Sequence, residues 1–116
     1  MEQINRIEIR GNVGSVNTQT YPQGKVSHFT VATSNAYKDR NGGAVIDTVW
    51  HNVTAWENKS GIADLDLLEK GAKVYVTGRV RYQKYTNSEG VERTSCEILA
   101  SRVQLIEGDE PLNYEM

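Results

Sequence analysis

The sequence predicts a five-stranded all-β barrel, on three observations. Apolar residues recur mainly with period two, the spacing of strands that bury one face. The one stretch that changes period, residues 58–70, falls between the third and fourth candidate strands. Clusters of turn-forming residues separate the remaining segments.

Ile7, Ile9 and Val13 alternate with Arg6, Glu8 and Arg10, giving a first strand that ends near Gly11-Asn12-Val13-Gly14. A loop at Tyr21-Pro22-Gln23-Gly24 leads to a second strand over residues 26–35, and Asp39-Arg40-Asn41-Gly42-Gly43 marks the next loop. The third strand covers residues 47–56. Ile62, Leu65 and Leu68 then recur every three residues, with Asn58 or Ser60 to cap the start and Gly71 to close the end, so one short helix is expected here. Val74, Val76 and Val80 alternate along a fourth strand that continues through Tyr85. Asn87-Ser88-Glu89-Gly90 turns the chain into a fifth strand through Cys96 and Ile98 toward Leu105, making a long strand 4–5 hairpin. Five strands with one short helix between strands 3 and 4 is the order of an OB-fold, a Greek-key barrel.

A chain of 116 residues fits one domain. We expect the barrel to occupy residues 1–106, followed by a short acidic tail at 107–116. No apolar run is long enough for a membrane helix, and the N-terminus lacks a secretory signal, which predicts a cytoplasmic protein with no membrane partner. One cysteine excludes an internal disulfide and any multi-cysteine zinc site. Cys96 itself reads as a small packed strand residue. No cofactor and no metal are expected, and no nucleophile, base and orienting carboxylate can be assembled, so the chain does not read as an enzyme.

The net charge of −2 conceals an asymmetry. All 13 Lys and Arg lie within residues 1–106, whereas Glu107, Asp109, Glu110 and Glu115 make the tail purely acidic. Residues 70–88 contain Lys70, Lys73, Arg79, Arg81 and Lys84 without one carboxylate. A local basic stripe of this kind is the footprint of a nucleic-acid binder, whatever the total.

Parity along strand three sharpens that expectation. Val49, Val53 and Ala55 share one face, read as core, while Trp50, Asn52, Thr54 and Trp56 share the other. Two tryptophans therefore lie on a polar face. On strand four Val74, Val76, Val80 and Tyr82 make one face, and Tyr75, Arg79, Arg81 and Tyr85 the opposite one. Tyr37 lies at the far end of strand two beside Lys38 and Arg40. Exposed rings of this kind serve subunit contacts or cross-strand pairs. Interleaved with bases, they suit single-stranded nucleic acid, whose bases stack on the rings while Lys and Arg neutralise phosphates.

At these residues the chain resembles the bacterial single-stranded DNA-binding protein family. The similar stretches are Ile4-Asn5-Arg6-Ile7-Glu8-Ile9-Arg10-Gly11-Asn12-Val13-Gly14, Phe29-Thr30-Val31-Ala32-Thr33-Ser34, Thr48-Val49-Trp50-His51-Asn52-Val53 and Leu68-Glu69-Lys70-Gly71-Ala72-Lys73-Val74-Tyr75-Val76-Thr77-Gly78. They occur in order between Ile4 and Ile106.

The resemblance implies stacking platforms at Tyr37, Trp50, Trp56 and Tyr85, the first and last being Tyr where well-known members have Trp. It implies phosphate contacts at Lys70, Arg81 and Lys84, with Lys38 or Arg40 in the adjoining loop; Arg79 joins them from the strand-four face. His51 matches a histidine at the family's subunit interface, and a homotetramer is implied. The expected function is binding of single-stranded DNA with little sequence preference, protecting it during replication, recombination and repair. Residues 108–116 lack the family's long linker and aliphatic-Pro-Phe tip, which puts recruitment of replication and repair proteins in doubt. The alternative is a dimeric OB-fold module of the replication-restart type, acting mainly by docking to partner proteins.

Overall fold

The computed structural model describes residues 1–57, 61–62 and 64–106. Five strands close into a barrel in the order β1-β2-β3-β5-β4: β1 (Ile7–Tyr21), β2 (Gly24–Lys38), β3 (Ala44–Trp56), β4 (Lys73–Thr86) and β5 (Glu92–Ile106). All neighbours are antiparallel except β3 and β5, which meet in a short parallel ladder pairing Val53 with Ile98 and Thr54 with Leu99. The five-stranded barrel of the sequence prediction is therefore present. Its strands run longer than expected, because β1 continues past Gly14 to Tyr21, and β2–β3 and β4–β5 extend as two-stranded arms beyond the barrel wall.

β1 serves two neighbours in turn. Its first half, Ile7 to Asn12, pairs with β4, and its second half with β2. A bulge between Val13 and Val16 bends the strand between these partners. A second irregularity, where Thr77 pairs with Arg102 but Gly78 pairs with Ala100, leaves Ser101 as the extra residue of β5. Across it the buried parity of β5 switches from Ile98 and Ala100 to Val103.

Phe29, Val31, Val53, Ala55, Val74, Val76, Ile98 and Ala100 alternate inward and form the core with Ile9, Val13 and Val103. Leu65 and Leu68 join it from the β3–β4 connection, with half-buried Ile62 packed alongside. Among the described residues, the helical element expected here is one 3-10 turn, η1 (Leu65–Leu67). Of the three spaced apolar residues only Leu65 lies in the turn, since Ile62 bridges to Val103 and Leu68 is extended. Asp64 caps it by accepting from the Asp66 N–H, and Leu68 is already extended; the predicted caps Asn58 and Ser60 lie outside the described residues. Lys25 on β2 ties the turn down through Asp66 at 2.7 Å.

The arm turns are built by side-chain acceptors. Asp39 Oδ1 accepts from the N–H groups of Asn41 and Gly43, and Asn87 Oδ1 accepts from those of Glu89 and Val91.

Two sequence expectations about packing need correction. Val49 is on the face of Val53, as expected, but is 45% exposed and not core. It pairs with Thr33 on the arm, whereas β5 pairs with β3 at Val53 and Thr54, so it lies beyond the β3–β5 ladder and stays largely open among the described residues. Cys96 is likewise exposed, because it pairs with Tyr82 on the β4–β5 arm outside the barrel. The tail expected at 107–116 lies outside the described residues.

Candidate nucleic-acid interface

Register decides which side chains share the outer surface. Trp56 pairs with Val26, Thr54 with His28 and Trp50 with Ala32, so both tryptophans stand on the outside of the β2–β3 sheet. Six residues apart on a strand, they are separated by about 20 Å. Trp50 is 59% exposed and Trp56 36% exposed, as the polar-face parity requires. The Trp50 indole packs against Gly14, where an added Cβ would come within 2.3 Å of its Cζ3. Gly14 thus gives the indole a surface to rest on without burying it.

Trp56 borders a groove of about 730 Å³ on the outside of the barrel. Arg79 and Arg81 of β4, His28 of β2, Thr54 of β3 and Glu97 of β5 line it, and Tyr21 closes one side with its ring centroid 6.5 Å from that of Trp56. The β3–β5 ladder makes this possible, since Thr54 pairs with Leu99 and Arg79 pairs with Leu99 from the other side.

Within the groove Arg81 donates to Glu97 Oε1 through both Nε and Nη2. Thr54 Oγ1 donates to Glu97 Oε2 at 2.9 Å and lies 3.0 Å from His28 Nδ1. Burial alone would raise the Glu97 carboxyl above its usual range, but the hydrogen bonds from Arg81 and Thr54, helped by the Arg81 and His28 charges, hold it below. Arg79 makes no ion pair among the described residues.

The other expected site residues fall in separate places. Tyr85 is on the Arg79–Arg81 face of β4, four residues beyond Arg81 along the arm, and half exposed. Lys84 is on the opposite face and approaches Glu92 at 3.8 Å. Tyr37, Lys38 and Arg40 gather at the exposed tip of the β2–β3 arm; Tyr37 pairs with Val45 and so belongs to the face opposite Trp50. Lys70 precedes Gly71, whose N–H donates to the Val13 carbonyl at 2.8 Å, which puts it at the Gly14–Trp50 end of the barrel. Tyr75, from the same strand-four face, is engaged elsewhere by the Arg10 guanidinium 5.6 Å above its ring and by Glu8. His51 is half-buried, bonded to Thr33 Oγ1 at 2.9 Å, and burial lowers its pKa.

Sequence reasoning missed Tyr21, His28 and Glu97. Parity alone puts His28 and Thr54 on the side of Trp56, but their meeting with Glu97 depends on strand order. Among the described residues no group of three or more His, Cys, Asp or Glu is arranged to hold a metal, and no helix is long and apolar enough to cross a membrane.

Residues 4–106 match the model of the single-strand binding protein family. The chain belongs to that family. A single-stranded DNA-binding protein of Neisseria meningitidis is 37% identical over 107 residues, covering 90% of this chain and 61% of that protein. One from Xanthomonas axonopodis pv. citri is 36% identical over 107 residues, covering 90% and 59%. The chain thus spans about three-fifths of the length of these curated relatives. Among solved structures, the fold resembles a Plasmodium falciparum single-strand binding protein in complex with single-stranded DNA, with TM-score 0.73, 24% identity, and coverage of 92% of this chain and 98% of that one. A deletion mutant of the Thermus aquaticus single-stranded DNA-binding protein gives TM-score 0.71 at 22% identity, covering 90% and 51%. Both likenesses support the OB-fold assignment.

Proposed function

We propose that this family member binds single-stranded DNA with little sequence preference, protecting it in replication, recombination and repair, and that it catalyses no reaction. The observation that carries the reading is the shared outer surface: Trp56 borders a groove lined by Arg79 and Arg81, and Trp50 continues the same face of β3. Flat rings accept any base, and the guanidinium groups in the groove beside Trp56 can pair with phosphates. The names of the Neisseria and Xanthomonas relatives support the same ligand.

On this reading Trp50, Trp56 and Tyr85 are stacking platforms, with Arg79 and Arg81 as phosphate contacts. Tyr37, Lys38 and Arg40 extend the path over the arm tip, and Lys70 extends it at the Trp50 end. Lys84 meets only a strand that crosses to the other face of the β4–β5 arm. Residues 1–106 act as the binding domain in a cytoplasmic, nucleoid setting. A homotetramer is proposed from exposed Val49 and half-buried His51, neighbours on one face of β3 that the described residues leave without a full cover.

The test is titration of tryptophan fluorescence with oligo-dT at low and high salt, with duplex DNA as control and light scattering for subunit number. Strong quenching by oligo-dT alone, partly reversed by salt, is the expected result. Absence of quenching at low salt would assign the tryptophans to a protein contact and favour the partner-docking module.

A further inference from the structure

We propose that Glu97 is a positioning residue of the groove, fixing the Arg81 guanidinium and, through Thr54, the His28 ring for an incoming strand; this rests on reading the groove as the DNA surface. A carboxylate in a groove meant for a polyanion calls for explanation. Glu97 is the more sheltered partner of its pair, its side chain 18% exposed against 49% for Arg81. Both of its oxygens are occupied, Oε1 by Arg81 and Oε2 by Thr54.

Proton accounting fixes the rest. A guanidinium has five N–H donors, and two point at Oε1, so three remain for a phosphate or a base edge. Thr54 has one hydroxyl proton and gives it to Oε2. Its Oγ1 must therefore accept from His28, so Nδ1 carries a ring hydrogen. The charged and titratable groups lining the groove around His28 are Glu97, Arg81, Arg79 and Tyr21. Two consequences follow. Arg81 enters binding already oriented, and its charge is already balanced, so it contributes directed hydrogen bonds more than counterion release.

Glu97→Gln keeps the side-chain shape and removes the balancing charge. In oligo-dT binding, the slope of log K against log salt should steepen by about 0.7, the value for one additional phosphate neutralised on a single strand. Affinity at high salt should fall severalfold below wild type, so the two lines cross. Thr54→Val keeps the Arg81–Glu97 pair, and its slope should match wild type. In the DNA-free protein, its His28 imidazole nitrogen resonances should lose the Nδ1–H tautomer seen in wild type.

Tighter binding by Glu97→Gln at every salt concentration would make Glu97 only an opposing charge and overturn the proposal, as would an unchanged line. An unchanged His28 tautomer in Thr54→Val would overturn the relay. Failure of wild type to bind oligo-dT would instead defeat the DNA reading, while the tautomer measurement would still decide the relay.

Discussion

Removing Trp56 tests the interface most directly. The ring borders the groove beside Tyr21 and is already one-third open to solvent, so truncation leaves no large internal cavity. Trp56→Ala deletes one stacking platform, worth about 1–3 kcal/mol per base, or about a 5- to 150-fold weaker Kd for oligo-dT. Trp50→Ala should cost a similar amount. The two rings are about 20 Å apart and share no partner, so the double variant should lose the sum, about 2–6 kcal/mol. Neither ring touches phosphate through a charge, and the loss should therefore be equal at all salt concentrations, giving parallel lines of log K against log salt. Trp56→Phe keeps a π face and should recover most of the binding. Competition titrations with labelled oligo-dT would supply the numbers, with circular dichroism to check the fold. Both single variants binding within twofold of wild type, or a loss that appears as a change of slope, would refute the stacking argument.

Other expectations concern charge, packing and pH. Arg79→Ala should flatten the salt slope by about 0.7, whereas Lys84→Ala, on the other face and beside Glu92, should change it less; equal effects would mean the strand contacts both faces of the arm. Gly78→Ala should destabilise the barrel by about 1–3 kcal/mol or more in urea unfolding, since its Cβ would fall 2.2 Å from the Leu99 carbonyl oxygen where β4 and β5 change register. Leu65→Ala should cost about 2–5 kcal/mol by the same assay, as the buried anchor of the β3–β4 connection. Burial lowers the His51 pKa below its ordinary 6.5, so the unfolded chain binds the proton more readily. Stability should therefore fall as pH drops from about 7 through 6.5 toward the folded pKa, and His51→Gln should flatten that part of the profile.

Much of the fold is written locally. Alternation marks each strand because neighbouring side chains on a strand point to opposite sides, and this needs no knowledge of the partner. The same local rule puts Trp50 and Trp56 outside. It fails at Val49 and Cys96, where parity is right but the strands outrun the barrel and leave both exposed among the described residues. It also fails past the bulges at Val13/Val16 and Ser101, where one extra residue exchanges the two faces. The 3-10 turn shows a subtler limit. Its apolar anchors are visible in the chain, but the extended Leu68 and the bridge of Ile62 to Val103 confine the turn to three residues.

By itself, then, the sequence determined the barrel class, the succession of strands along the chain, the outward tryptophans and the basic character of strand four. Tertiary structure decided which of these residues meet. Arg81 reaches Glu97 across the β4–β5 ladder, and Glu97 reaches Thr54, 43 residues earlier, only because β3 and β5 lie side by side in parallel. Period-two alternation specifies a face and not a neighbour. The neighbour depends on closing the barrel, in which segments far apart in the chain together bury a single core.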